Sequence, residues 1–447
     1  MDTDTPKNNH DNQGRLTVIA GLNASGKTRL AERMRREMRS DSVRYVAFCD
    51  TYGTATDRSY YLQQRWNQHD IEDLTPHVGD ALERSFLLSG SDTPERRKEQ
   101  QRLYELMGMK PLLDKYVIAI SSGELRKMQM VKTLMAQPST LILDNPFIGL
   151  DAEARQMFSR QLLLLKKQGM QIFLLVARPG EIPPFADEVQ WTTPEEDFME
   201  SHMENTRLLD HLAHTDSLEN MEKTATPTEV IRLSDVSIRY GDRTILDSLS
   251  WTVRQGEHWA LSGRNGSGKS TLLSLVCADN PQGYACDIAL FGHRRGTGES
   301  IWDIKRRIGY VSPEMHRSYL RNIPALSIVA SGLKDTVGLY VRPTEAERGQ
   351  CMGWMRTFGI DSLASRSFMQ LSSGEQRMVL VCRAFVKNPD LLVLDEPMHG
   401  LDLCRQQLLK QIIEAFCRQR HKTLIMVTHY EEELPSCIDH RLVLGNP

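Results

Sequence analysis

Long apolar runs are missing from this chain. None approaches the about 18–20 residues that a membrane-crossing helix needs, so a transmembrane pore built from such helices is excluded. The first 13 residues, MDTDTPKNNHDNQ, are polar and acidic and lack the apolar stretch of a secretory leader. Cysteine is scarce: 8 in 447 residues, with no C-x-x-C pair and no cysteine–histidine cluster along the chain. That argues against disulfides and zinc, and predicts reduced thiols in a cytoplasm. Excess charge is also missing. A net charge of −3 gives no global basic field for nucleic acid, and no direct nucleic-acid binding is expected. The basic run Arg33, Arg35, Arg36 and Arg39 reads as a solvated helix face.

What is present is one motif set, twice. The first copy reads GLNASGKT from Gly21, ISSGE from Ile120, LILDNP from Leu141 and GLD from Gly149. The second reads GRNGSGKS from Gly263, LSSGE from Leu371, LLVLDEP from Leu391 and GLD from Gly400. Gly374 follows Gly123, Asp395 follows Asp144, and Asp402 follows Asp151, each by 251 residues. The fixed offset pairs Asn145 with Glu396 and Arg178 with His429.

Local patterns predict an α/β fold with a parallel sheet core. Residues 16–20, 141–143 and 173–176 are compact apolar runs of the buried parallel-strand kind. Residues 28–39 and 69–109 read as helical. IRLSDVSIRY and TILDSLSWTV alternate and predict an antiparallel hairpin ahead of the second glycine loop. The first glycine loop has no such lead-in. Residues 192–228 are acidic (Glu195, Glu196, Asp197, Glu200, Glu204, Asp210, Asp216, Glu219 and Glu222 against Arg207 and Lys223) and read as a linker, partly helical over 206–212. The expected division is a disordered tail 1–13, a front-shortened first domain 14–191, the linker 192–228, and a second domain 229–447.

G-x-x-x-x-G-K-[ST] is a phosphate-binding loop, its glycines turning backbone N–H groups inward at a helix N-terminus. Gly21, Asn23, Ala24, Ser25, Gly26, Lys27 and Thr28 form one candidate nucleotide site. Gly263, Asn265, Gly266, Ser267, Gly268, Lys269, Ser270 and Thr271 form the other. Lys27 and Lys269 would reach the β- and γ-phosphates, and Thr28 and Ser270 would coordinate Mg²⁺. Asp144 and Asp395, each at the tip of an apolar strand, would complete the metal shell. The next residue stands beside the γ-phosphate: Glu396 can accept a proton from the attacking water, and Asn145 cannot.

This set resembles that of the ATP-binding-cassette ATPases. Ser121, Ser122, Gly123 and Ser372, Ser373, Gly374 match the family's signature, GLD its D-loop, and Thr428–His429 its switch histidine. Tyr240 matches its adenine-stacking aromatic, against a hairpin-core tyrosine as the plain reading. Capping is the plain reading of Ser122 and Ser373, and of Asp151 and Asp402. The resemblance implies two P-loop cassettes, each with a helical signature subdomain, pairing head to tail within one chain, with ATP and Mg²⁺ as ligands. It implies a competent site with Lys269, Glu396 and His429 as catalytic residues and a degenerate one with Asn145 and Arg178. A Gln usual in the loop after IGYV is absent: Ser312, Pro313 and Glu314 stand there, and the first half offers only Gln63 or Gln64. Within the family the pattern is similar to the ModF/PhrA-type tandem cassettes, named for molybdate transport and photorepair. The expected role is the ATP-binding component of, or an accessory to, a transporter whose permease is separately encoded, in the cytoplasm or peripheral at the inner face of the membrane. The alternatives are a ribosome-associated translation factor of the ABC-F kind, to which the acidic linker is ill suited, and a nucleotide-switched soluble binding protein.

Overall fold

The computed structural model describes residues 14–22, 25–38, 42–47, 76–117, 120, 122–147, 150, 152–194, 228–240, 243–263, 266–318, 322–336, 342–419 and 421–445. The tail and nearly all of the acidic linker lie outside them, as do Asn23, Ala24, Gln63, Gln64, Ser121, Asp151 and Asn265. Contacts separate the chain into two units near residue 200.

The first unit is built on five parallel strands: β1 (Leu16–Ala20), β2 (Val43–Ala47), β3 (Thr140–Asp144), β4 (Gln171–Val176) and β5 (Glu188–Trp191). Their order is β2-β3-β4-β1-β5. β1 is buried along its whole length, as a strand covered on both faces must be. Burial of Leu16, Val18 and Ile19 contributes about 1.5–3 kcal/mol each. The helical run expected over 69–109 is two helices, Val78–Leu88 and Pro94–Met107. The break has a local cause: Thr93 caps the second helix by accepting from the Arg96 N–H at 3.3 Å, and Pro94 occupies its first turn.

The second unit repeats that sheet and adds another. β8 (His258–Gly263), β11 (Ile308–Val311), β12 (Leu391–Asp395), β13 (Thr423–Val427) and β14 (His440–Leu444) lie in the order β11-β12-β13-β8-β14. The added sheet is antiparallel: β6 (Glu229–Tyr240), β7 (Arg243–Arg254), β9 (Asp287–Leu290) and β10 (His293–Arg294), in the order β10-β9-β6-β7. β6 and β7 are the expected hairpin. Among the described residues the first unit has no such sheet. Register confirms the repeat: Tyr45 pairs with Ile142 in the first sheet, and Tyr310 with Val393, 251 residues beyond Ile142, in the second.

In both sheets the glycine-loop strand lies between its neighbours at a switch in chain direction of travel, where α/β sheets hold ligands at the strands' C-terminal ends. In the second unit the helices Ala325–Ser331, Glu345–Thr357 and Ser373–Phe385 pack together, and their buried residues share one core with Leu392, Leu394, Leu424 and Met426 of the parallel sheet. Phe385 joins it to the helix Leu403–Cys417, stacking edge-on against Phe416 at 5.6 Å. Among the described residues no helix is long and apolar enough to cross a membrane. His258, Cys417 and Cys437, far apart along the chain, are brought together by the fold.

Candidate nucleotide sites

Each glycine loop links a buried strand to a helix, Lys27–Glu37 in one unit and Lys269–Val276 in the other. Gly268 sits at φ 95°, and a Cβ there would lie 2.9 Å from Leu246 Cδ2 and 3.0 Å from the Ile245 carbonyl. Only glycine fits under β7 in that conformation. Gly26, at φ 93°, has nothing within 4 Å of the same position among the described residues, as expected of a unit without the covering hairpin.

Both lysines curl back onto their loops. Lys269 Nζ donates to the Gly263 carbonyl at 2.6 Å, and Lys27 Nζ to the carbonyls of Gly21 and Leu22 at 2.6 and 2.8 Å. Ser25 Oγ is 2.6 Å from Thr192 Oγ1. Its counterpart Ser267 has a buried Oγ with no hydrogen-bond partner among the described residues. A buried hydroxyl without a partner, in a loop of inward-facing amides, fits an anionic ligand.

The two carboxylate sites differ. In the first unit Asp144 Oδ2 accepts from Thr28 Oγ1 and from the Tyr45 hydroxyl, each at 2.9 Å. Asp144 Oδ1 accepts from the Asn145 amide at 2.8 Å. Threonine and aspartate are thus adjacent, as a hard cation requires, but Asn145 turns its side chain to the aspartate as a donor. Asn145 and Glu396 share a left-handed backbone, φ 52° and 50°. Asparagine tolerates that region; for glutamate it is strain of the sort held at functional sites.

In the second unit Glu396 lies between two histidines. His399 Nδ1 donates to Oε2 at 3.0 Å. His429 Nε2 stands 3.2 Å from Oε1, at ion-pair distance but without hydrogen-bond alignment. Burial is the largest single influence on the Glu396 carboxyl and pushes its pKa up. The hydrogen bond from His399 and the close approach of His429 together outweigh it and hold the group well below the usual carboxylate range. The carboxylate is therefore ionised and aimed. Sequence reasoning missed His399. Its counterpart by the 251-residue offset is Ile148, so Glu396, His399 and His429 are all replaced in the first half, by Asn145, Ile148 and Arg178.

Arg377 was also missed. It lies in the signature helix, only 1% exposed. Its guanidinium donates to the carbonyls of Glu396 at 2.6 Å, Ser312 at 3.3 Å and Asp395 at 3.4 Å. One side chain thus ties the signature helix, the catalytic strand end and the loop after β11 together. The available signal was its repetition, since Arg126 occupies the same offset and is also buried.

The cap of the second signature helix is Ser372, not Ser373. Ser372 Oγ accepts from the Glu375 N–H at 3.3 Å, and Glu375 Oε2 accepts from the Ser372 N–H at 2.8 Å, a reciprocal capping box. Ser373 is exposed in the first turn. Asp402 does cap its helix, accepting from the Arg405 N–H at 2.9 Å. Ser312, 1% exposed, accepts from the Met315 N–H at 3.1 Å and so starts a short helix, Pro313–Ser318, where the family has its Gln. Tyr240 packs partly buried against the core of the antiparallel sheet, and its hydroxyl accepts from Asn280 Nδ2 at 3.0 Å. That agrees with the hairpin-core reading and leaves part of the ring accessible.

Two α/β units with parallel sheets, each with a phosphate loop, a strand-end aspartate and a signature helix, define a tandem P-loop nucleotide-binding protein. The family model for ABC transporters matches residues 8–148 and 246–399. The chain belongs to the ABC transporter ATP-binding family and is an ABC-type ATPase made of two cassettes. It is 35% identical to the ABC transporter ATP-binding protein ModF of Escherichia coli (strain K12), over 96% of this chain and 91% of that protein. It is 28% identical to an uncharacterized ABC transporter ATP-binding protein of Schizosaccharomyces pombe, over 90% of this chain and 83% of that one. Among solved structures, the model of ribosome-bound archaeal Pelota and ABCE1 aligns with 97% of this chain and 73% of its own, at TM-score 0.58 and 16% identity, a likeness of fold. Members of the family bind ATP, normally with Mg²⁺.

Proposed function

We propose that the second cassette carries out ATP hydrolysis and that the first binds nucleotide and scarcely hydrolyses it. The observation that carries this reading is the contrast after the strand-end aspartates. Glu396 is an ionised carboxylate held by His399 beside His429, whereas Asn145 is an amide donating to Asp144.

Lys269 and the loop amides bind and orient the phosphates; Ser270 with Asp395, and Thr28 with Asp144, would hold Mg²⁺. Bound Mg²⁺ supplies charge neutralisation at the β- and γ-phosphates. Glu396 orients the attacking water and accepts its developing proton. Because its carboxyl is held below the usual range, aim counts for more than basicity. His429, 3.2 Å from Glu396 Oε1, stays assigned by resemblance as the switch histidine that would contact a γ-phosphate. Ser122 and Ser373 stay assigned by resemblance as γ-phosphate donors, and Tyr240 as the adenine contact.

The wider role is as the ATP-binding component of, or an accessory to, an ABC transporter, and the near full-length likeness to ModF supports it. The test is Glu396→Gln, loaded with ATP or ADP and fractionated against membranes and ribosomes. ATP-dependent association with membranes is expected. Association with ribosomes, or with neither, would overturn the transporter assignment. ATP turnover that survives Glu396→Gln would overturn the catalytic one.

A further inference from the structure

Three side chains with nitrogen or sulfur donor atoms meet at the end of the second parallel sheet away from its glycine loop. His258 opens β8, Cys417 closes the helix Leu403–Cys417, and Cys437 lies in the turn ahead of β14. Each offers one ligand atom, and these atoms lie within 4.8 Å of one another. His258 and Cys417 are 9% and 7% exposed, and Cys437 is half-buried. Five strand steps, about 16 Å, separate His258 from Gly263 and from the nucleotide site.

The imidazole is the second observation. His258 Nδ1 is 3.1 Å from the Cys437 carbonyl, which can only accept, so Nδ1 carries the proton and Nε2 presents a lone pair. That Nε2 is buried and has no hydrogen-bond partner among the described residues. Native structures seldom leave such an atom unpaired. Asp439 steadies the same residue: Oδ1 accepts from the His258 N–H at 2.8 Å, and Oδ2 is 3.7 Å from Nδ1. A carbonyl and a carboxylate fixing the tautomer and tilt of a histidine is the support that metal-binding imidazoles have.

We propose that His258, Cys417 and Cys437 bind one thiophilic divalent cation of the Zn²⁺ class. Two thiolates and a neutral imidazole balance a dication, and sulfur and nitrogen donors exclude Mg²⁺ and Ca²⁺. Each thiol gives its proton to solvent on binding, and no oxidant is needed. Three protein ligands leave the fourth tetrahedral position to water. The bound ion would clamp the far end of β8, whose near end is the phosphate loop, to the far end of the helix capped by Asp402. A Cys417–Cys437 disulfide is the competing use of the same thiols. It requires an oxidant and would leave Nε2 unpaired.

The experiment uses the full chain, reduced and stripped with a chelator, titrated with Co²⁺ and then Zn²⁺. The expected result is one equivalent of Co²⁺ with a thiolate-to-metal charge-transfer band in the near ultraviolet, displaced by Zn²⁺. Co²⁺ at the oxygen-rich nucleotide sites gives no such band. Cys437→Ser and His258→Gln should each weaken binding by at least about 10-fold, and Cys404→Ser should leave it unchanged. Zn²⁺ should raise the melting temperature of the native chain and not of Cys437→Ser. No charge-transfer band, or one that survives Cys437→Ser and His258→Gln alike, would overturn the proposal. So would a thiol count on the chain as isolated, before reduction, that lacks two thiols with or without chelator and recovers them on adding reductant, the mark of the disulfide.

Discussion

Replacing His399 by Phe removes a hydrogen-bond donor and keeps a ring in a buried place. In the native chain Nδ1 donates to Glu396 Oε2 across 3.0 Å, and the His399 side chain is 9% exposed. A hydrogen bond to a charged acceptor is worth about 1.5–3 kcal/mol. At about 1.4 kcal/mol per factor of ten, its loss should slow ATP turnover by roughly 10- to 100-fold. The dependence on pH follows from what holds the carboxylate ionised. Burial pushes its pKa up; His399 and His429 pull it down and win. Without His399 the balance moves toward burial and the pKa rises, so the group is protonated earlier on acidification. The variant's deficit should therefore be greatest at acid pH and shrink as pH rises. His399→Gln keeps an N–H donor and should recover part of the rate. The assay is steady-state phosphate release at saturating Mg·ATP from mildly acid to mildly alkaline pH. A Phe variant as active as the native chain, or a deficit equal at every pH and unrelieved by Gln, would refute the reasoning.

Three further expectations follow from the same contacts. Arg377→Met removes the guanidinium donor from the carbonyls of Ser312, Asp395 and Glu396, although Ser312 keeps the His316 N–H and Glu396 the His399 N–H; at about 0.5–1.5 kcal/mol for each lost bond, denaturant unfolding should report a loss of about 1.5 kcal/mol or more, and an unchanged midpoint would refute the role. Ser372→Ala should cost about 1 kcal/mol of stability through the lost cap, while Ser373→Ala, at an exposed position, should leave unfolding unchanged; the reverse pattern would return the cap to Ser373. Lys27→Ala should reduce nucleotide bound per chain in equilibrium dialysis and spare most turnover, whereas Lys269→Ala should abolish turnover; equal loss of rate in both would mean two equivalent sites.

Much of the site is legible in the chain itself. A phosphate loop is a continuous segment whose residue types are dictated by backbone turns, so Lys27, Lys269 and their glycines read directly from the sequence. The buried strands read as well, because β1, β3 and β4 each carry a compact run of apolar residues that the fold largely buries. The constant 251-residue offset makes the Asn145–Glu396 contrast visible from the repeat alone.

Contacts across chain distance decided the rest. Ser372 and Ser373 are neighbours of the same type, and only the helix start tells which one caps. His399 looks like an ordinary loop residue until the left-handed turn at Glu396 brings its ring onto the carboxylate. Arg377 reads as a charged helix position, yet folding buries it against carbonyls from two other segments. His258, Cys417 and Cys437 show no metal spacing along the chain, and the parallel sheet gathers them at one end. Sequence alone determined the paired phosphate loops and the inequality of the two halves, because those are properties of contiguous residues and of the repeat. The partners of the catalytic carboxylate, and the sulfur–nitrogen cluster behind it, were decided by tertiary structure, because each depends on which distant segments the sheet order makes adjacent.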